Sequence, residues 1–400
     1  LPGTANLAMN MLDEGTKKRS ALEISEDLAM LGARISSGSN LDISVVSLST
    51  LKSTLDDALE LYAEVILEPA FPQQDFERLK KQQLAGIQRE KSSPFQMALR
   101  VFPQLLYGNE HAYGLPFTGS GFEESVAKMT RADLVKFHQT WFKPNNATMI
   151  VVGDAKLNDV VPKLEKLFKD WKQGDVPQKN IAKVEQKDES VVYLLDKPGS
   201  IQSVIFGGHV APPKGNPDEI AIETMNYILG GSFTSRINMN LREDKHWTYG
   251  ARSVIVDARG QRPFLAYTSV QTDKTKETMI EISNELTGIL NDRPATEEEL
   301  SKAQKNQILR LPGSWETINE VAGSIRDIVR YELDDNHYQT YPDEIRALKV
   351  ATIASAAKKV LQPDHLVWIV VGDREKVESG LKELGYSKIH VIDTDGNILE

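Results

Sequence analysis

The chain has no cysteine. Disulfide staples, thiolate metal ligands and a cysteine nucleophile are therefore excluded together. The absence suits an oxidising cell envelope and a reducing cytosol equally, so it leaves the compartment open. Histidine is scarce as well, with seven in 400 residues. They are His111, His138, His209, His246, His337, His365 and His390, and no two lie within five residues of each other. Catalytic zinc takes about three protein ligands, often two histidines one helical turn apart. No such pair exists, so these histidines read as core or surface residues.

Other absences narrow the field. No apolar run approaches the roughly 18 residues of a membrane span, and no signal-peptide pattern is visible. There is no G-x-S-x-G elbow for a serine nucleophile and no Walker lysine after a glycine-rich loop. Gly230-Gly231-Ser232 therefore reads as a turn between helices. Basic residues are outnumbered, 47 Lys and Arg against 57 Asp and Glu, for a formal charge of -10. That balance argues against nucleic acid and against anionic membranes as partners. What is present is ordinary for a globular protein, 40% apolar and 26% charged, with length for two or three domains.

The sequence repeats itself. Pro144, Gly153 and Asp154 correspond to Pro363, Gly372 and Asp373 at one offset of 219, around the apolar runs 147–153 and 366–372. Gly32-Ala33-Arg34 corresponds to Gly250-Ala251-Arg252 at an offset of 218. Nearly equal offsets so far apart in the chain predict a tandem pair of similar folds.

Each unit reads as α+β. Both apolar runs predict buried strands flanked by amphipathic helices. Ser20 to Glu23 forms a capping-box pattern, opening a helix that ends near Gly32. Helical patterns also cover 51–67, 71–90, 130–141 and 157–171, and Glu297 to Glu299 suit a helical first turn. The second unit opens with two strand-like runs, 191–195 and 203–210, before a helix near Pro217. The first opens directly in a helix, so an opening strand pair is missing from it, as in a chain that is cut or whose start is unseen. The predicted layout is a first unit at 1–171, a polar linker at 172–187 and a second unit at 188–400.

Two motifs carry a resemblance. The first is Gly3-Thr4-Ala5-Asn6-Leu7-Ala8-Met9-Asn10-Met11-Leu12, followed by Gly15-Thr16. The second is Leu229-Gly230-Gly231-Ser232-Phe233-Thr234-Ser235-Arg236, then Leu241-Arg242-Glu243, then Tyr249-Gly250. Both are similar to the pitrilysin/insulinase family of zinc metallopeptidases, as are the two-unit layout, the loop from Gly108 to Ser120 and the linker position. The first motif resembles the helix bearing the family's inverted zinc motif H-x-x-E-H. The two histidines fall on Asn6 and Asn10, and the glutamate that activates water falls on Met9. The family's third ligand, a Glu about 76 residues on, falls on Gly86. A neutral amide is a poor zinc ligand and a thioether is no general base. The resemblance thus implies a chain that holds no zinc and is inactive alone.

The second motif is intact. In the family an Arg and a Tyr seven residues apart face the zinc site from the opposite half, and here they fall on Arg242 and Tyr249. Taken without the family, Arg242 is a solvated helix charge beside Glu243 and Asp244, and Tyr249 a strand-end core residue.

The resemblance implies one half of a clamshell, each unit a mostly antiparallel sheet covered by helices. Zinc is then expected in a partner half, either a separate zinc-motif subunit in a heterodimer or the upstream part of the same polypeptide. Unfolded peptide is the expected substrate, bound as an added strand. The alternative is a structural or chaperone-like scaffold with no role in proteolysis. Family habit and the lack of cysteine point to a bacterial periplasm or envelope, with the cytoplasm as the alternative.

Overall fold

A computed structural model describes residues 1–400, which fall into two compact units. Unit 1 comprises 1–89, 115–179 and 317–326; unit 2 comprises 90–114, 180–316 and 327–400.

Unit 1 begins with helix α1 (Thr4–Asn10), followed by α2 (Ala21–Met30). The Ser20 hydroxyl and the Glu23 carboxylate cap each other's backbone, forming the expected box at the start of α2. A hairpin follows, β1 (Arg34–Ser39) and β2 (Ser44–Ser49), paired antiparallel from Arg34 opposite Ser49 to Ser39 opposite Ser44. Asn40 shapes its turn, its side-chain oxygen accepting from the amides of Asp42 and Ile43 at 3.0 and 3.1 Å. Then come α3 (Leu55–Leu67) and α4 (Gln73–Ser92). Helix α5 (Pro94–Tyr107) belongs to unit 2, and α6 (Glu123–Lys128), α7 (Arg131–Trp141) and α8 (Leu157–Phe168) return to unit 1. Leu7, Met9 and Leu12 at the start of the chain pack with Leu61, Val65, Phe76, Ile87 and Leu134 in one core.

The run 147–153 departs from the expected strand. Thr148 to Val152 make no backbone hydrogen bond, and Met149 and Val151 are 41% and 51% exposed. A strand exists only through its ladder partners, and the one sheet of unit 1 is the β1–β2 pair.

Unit 2 holds six strands: β3 (Val191–Asp196), β4 (Gln202–Ala211), β5 (Thr248–Ile255), β6 (Arg262–Gln271), β7 (Val367–Gly372) and β8 (Ile389–Ile392). Their order is β5-β6-β4-β7-β3-β8. The first three pairings are antiparallel, and β3 lies parallel to both β7 and β8. Helix α5 covers one face, with Phe95 and Phe102 set edge-on to Phe206 at 5.2 and 6.0 Å. Against the other face, α9 (Glu219–Asn226) and the helix Thr275–Leu290 contribute Met225, Ile282 and Leu286 to a core with Ile205 and Val370. With both faces covered, every residue of β7 is buried, as its unbroken apolar run requires. Gly207 and Gly208 permit this closeness, since a Cβ on either would lie 2.6 Å or less from its nearest neighbour. The α+β class and the largely antiparallel sheet of unit 2 follow the sequence reading.

Candidate functional site

The α1 helix shows why a motif's frame persists after its chemistry has gone. Asn6 and Asn10 share one face, as i and i+4 residues do, and the Asn10 amide donates to the Asn6 side-chain oxygen at 3.2 Å. Neither amide offers the imidazole lone pair that a zinc ligand supplies. Met9 is fully buried in the unit 1 core, a place that suits a thioether and would penalise a carboxylate. Gly86 lies in α4 with no side chain to offer. No cluster of three His, Asp or Glu residues anywhere in the structure is arranged to hold a metal ion. The residues at these positions do not fit zinc.

The retained frame residues have folding duties instead. Gly3 caps α1 with φ 90°, and a Cβ there would lie 2.7 Å from the Gln83 side chain and from the Ser120 carbonyl. Thr16 donates its hydroxyl to Glu64, a buried carboxylate that Arg19 also meets. An unpaired Glu64 would cost several kcal/mol.

The second motif divides in the same way. Its Gly-Gly pair extends α9 into a π-helical segment, Tyr227–Gly231, rather than forming the expected turn. Gly230 has no room for a side chain, because a Cβ would approach the Ser253 amide to 2.3 Å. Ser235 donates to the Ser232 carbonyl at 2.6 Å. Arg236 forks onto Glu299 at 2.7 and 2.6 Å, tying the loop to the helix Glu297–Arg310. Burial raises the Glu299 pKa, but the hydrogen bond and charge of Arg236 outweigh it and hold the carboxylate ionised.

Arg242 and Tyr249 have no such employment. Arg242 sits in a second π-helical segment, Met239–Asp244, that ends before His246, whose φ is 57°. The guanidinium lies 4.6 Å from the centre of the Phe233 ring, in cation–π geometry, with Glu243 at 3.4 Å from Nε. Phe233 is itself 60% exposed. Tyr249 is 90% exposed, so it is not the core residue that the sequence alone suggests.

The cause is a bulge in β5. Thr248 opposes Val270 while Ala251 opposes Thr268, three steps on β5 against two on β6. The extra residue falls at Tyr249-Gly250 and turns the phenol out of the sheet. The bulge is locked by the Thr248 hydroxyl, which accepts from the Gly250 amide at 3.0 Å and donates to the Ser269 carbonyl at 2.7 Å.

Both residues belong to unit 2, and no hydrogen bond or cation–π contact joins their side chains. Their forked and phenolic donors are open to a ligand. Sequence reading missed Phe233; the signal was an aromatic among the Gly and Ser residues of an exposed loop.

Residues 1–112 match the profile of the insulinase family, peptidase family M16, and residues 128–307 match that of the M16 peptidase inactive domain. The chain is 23% identical over 377 residues to "Non-peptidase homolog YmxG" of Helicobacter pylori, covering 94% of this chain and 85% of that protein. It is 24% identical over 363 residues to "Zinc protease PqqE" of the same organism, covering 89% and 80%. Among solved structures it resembles an M16 peptidase inactive domain from Pseudomonas fluorescens, with TM-score 0.85, 26% identity and coverage of 93% and 88%. Its fold also matches that of the periplasmic protease PqqL of Escherichia coli at TM-score 0.72 and 14% identity. That match takes in 100% of this chain and 47% of PqqL.

Proposed function

The chain belongs to the M16 peptidase family, as an inactive member, and from that premise we propose that it is the non-catalytic half of a two-part zinc peptidase. In this reading it binds unfolded peptide and presents Arg242 and Tyr249 to a reaction centre whose zinc and general base are held by a partner half. The carrying observation is the exposure of Tyr249, 90%, on a bulge that hydrogen bonds lock in place.

The chemistry suits the task. The phenol can donate to the oxyanion that forms when water attacks a peptide carbonyl. The guanidinium, pre-oriented on Phe233, can hold substrate carbonyls through its forked donors. The PqqL match supports the half reading at the level of fold, since a chain about twice as long contains this architecture. A periplasmic or envelope location goes with the proposal, and cell fractionation checks it.

The test is reconstitution with a zinc-motif partner. The partner should hydrolyse unfolded peptide only when this chain is present. Tyr249→Phe should then slow turnover by about 10²–10³-fold while the complex still assembles. Unchanged turnover in the variant would refute the residue's role. A partner equally active without this chain would favour the scaffold reading.

A further inference from the structure

Arg242 and Tyr249 stand on different elements, and one buried side chain ties those elements together. Asn238 ends the helical turn Arg236–Asn238 and immediately precedes the π-helical segment that carries Arg242. Its side chain is buried, with both ends of the carboxamide engaged. Nδ2 donates to the Phe233 carbonyl at 2.6 Å, and Oδ1 accepts from the Ala251 amide at 3.0 Å. Phe233 supplies the ring on which the Arg242 guanidinium rests. Ala251 is where β5 regains register with β6, directly after the bulge at Tyr249-Gly250. The two contacts have opposite requirements, since a backbone carbonyl needs a donor and a backbone amide an acceptor. A carboxamide meets both, and only in one orientation. Because β5 is an edge strand, an amide that points away from β6 has no neighbouring strand to bond. Asn238 takes the place of that strand at Ala251.

We propose that Asn238 is the positioning residue of the exposed site. It holds the Phe233–Arg242 pair and Tyr249 in one arrangement, so that guanidinium and phenol act on the same bound peptide. This rests on the peptide-binding reading given above. Asn238 is buried and reaches no substrate, so it acts through Phe233, Arg242 and Tyr249. The Thr248 hydroxyl ties the bulge to β6 on one side. Asn238 ties it on the other, to the loop and helical segment that carry the guanidinium. With both ties made, the spacing of the two donors is set before any ligand arrives, which is the condition for precise positioning.

Asn238→Leu tests it, because leucine keeps the shape of the side chain and removes both bonds. In the chain alone, the Ala251 amide should then exchange at least about tenfold faster than in the parent. In the enzyme reconstituted with a zinc-motif partner, kcat should fall about tenfold while the complex still assembles. In a Tyr249→Phe background the same substitution should change kcat less than about twofold, since the group it positions is already gone. Asn238→Asp keeps the acceptor for Ala251 and loses the donor for Phe233. It should therefore recover most of kcat and leave KM raised. Unchanged Ala251 exchange or unchanged kcat in Asn238→Leu overturns the proposal. Equal losses in both backgrounds also overturn it, because they mark a purely structural role. Either result leaves the reading of the site intact if Tyr249→Phe alone is slow. A Tyr249→Phe enzyme as fast as the parent sinks that reading, and the proposal with it. If Asn238→Leu does not fold, Asn238→Asp decides alone, and an unchanged KM overturns the proposal.

Discussion

Two stretches of this molecule, 148–153 and 367–372, carry closely similar apolar sequences and opposite structures. Val367–Gly372 is the buried β7, paired on both edges and covered on both faces. Thr148–Gly153 forms no ladder and exposes Met149 and Val151. Neither β propensity nor hydrophobicity separates them. The neighbours do, since β4 and β3 flank one run while Thr148 to Val152 of the other make no backbone hydrogen bond. Strand formation is a property of a place in a sheet, and a sequence pattern alone supplies half of it.

The sharpest way to break the comparison is to remove matching side chains. Trp368→Ala should destabilise unit 2 by about 3–5 kcal/mol, because the fully buried indole leaves a cavity. Its counterpart Met149→Ala should change stability by less than about 0.5 kcal/mol. Equal shifts in urea denaturation midpoints would show that 148–153 is packed after all.

Acid gives the next largest effect, and it acts through β4. His209 is wholly buried there, its ring stacked on Phe264 at 4.9 Å. Nδ1 donates to the Val210 carbonyl at 3.1 Å, and Nε2 accepts from the Gln362 amide at 3.2 Å. Protonating Nε2 would set two donors against each other in a dry site. Burial accordingly pushes the pKa down to about 4. Above roughly pH 6.5 the imidazole is neutral in folded and unfolded chains, and the full stability is present. Between pH 6.5 and 4 the unfolded chain takes up a proton that the folded one refuses, so up to about 3 kcal/mol is lost. Urea midpoints at pH 7 and 4.5 should converge in His209→Gln relative to the parent. In unit 1, burial shifts His138 in the same direction, and His138→Gln measures that unit's share.

A smaller effect sharpens the account of the exposed site. Phe233→Ala removes the ring beneath Arg242 and should cost about 0.5–1 kcal/mol of transition-state stabilisation, a few-fold in reconstituted kcat/KM. No change would mean that the guanidinium is positioned by substrate alone. The smallest expected signal is zinc uptake. After chelation and re-addition of one equivalent, the purified chain should retain essentially none. Binding near one equivalent would contradict the fit argued for Asn6, Met9 and Asn10.

Much of this was legible in the residues. The capping box at Ser20, the helices of unit 1, the strands β3, β4 and β7 and the offset repeat all rest on local or periodic signals. So did the loss of chemistry at α1, since Asn and Met cannot act as His and Glu in any fold. What could not be read was whether a pattern would find its complement. The run 147–153 has the composition of a core strand without the flanking strands. The Gly230-Gly231 pair continues a helix because Ser253 presses against it from a different strand. Tyr249 looks like a strand-end core residue until the bulge turns it outward.

The sequence by itself determined that the chain is an α+β repeat of the M16 family without zinc-binding chemistry, because donor atoms and hydrophobic periods are properties of the residues. Only the tertiary structure decided which apolar run is a strand and which aromatic faces solvent. Those outcomes depend on hydrogen-bond partners and covering faces brought from distant parts of the chain.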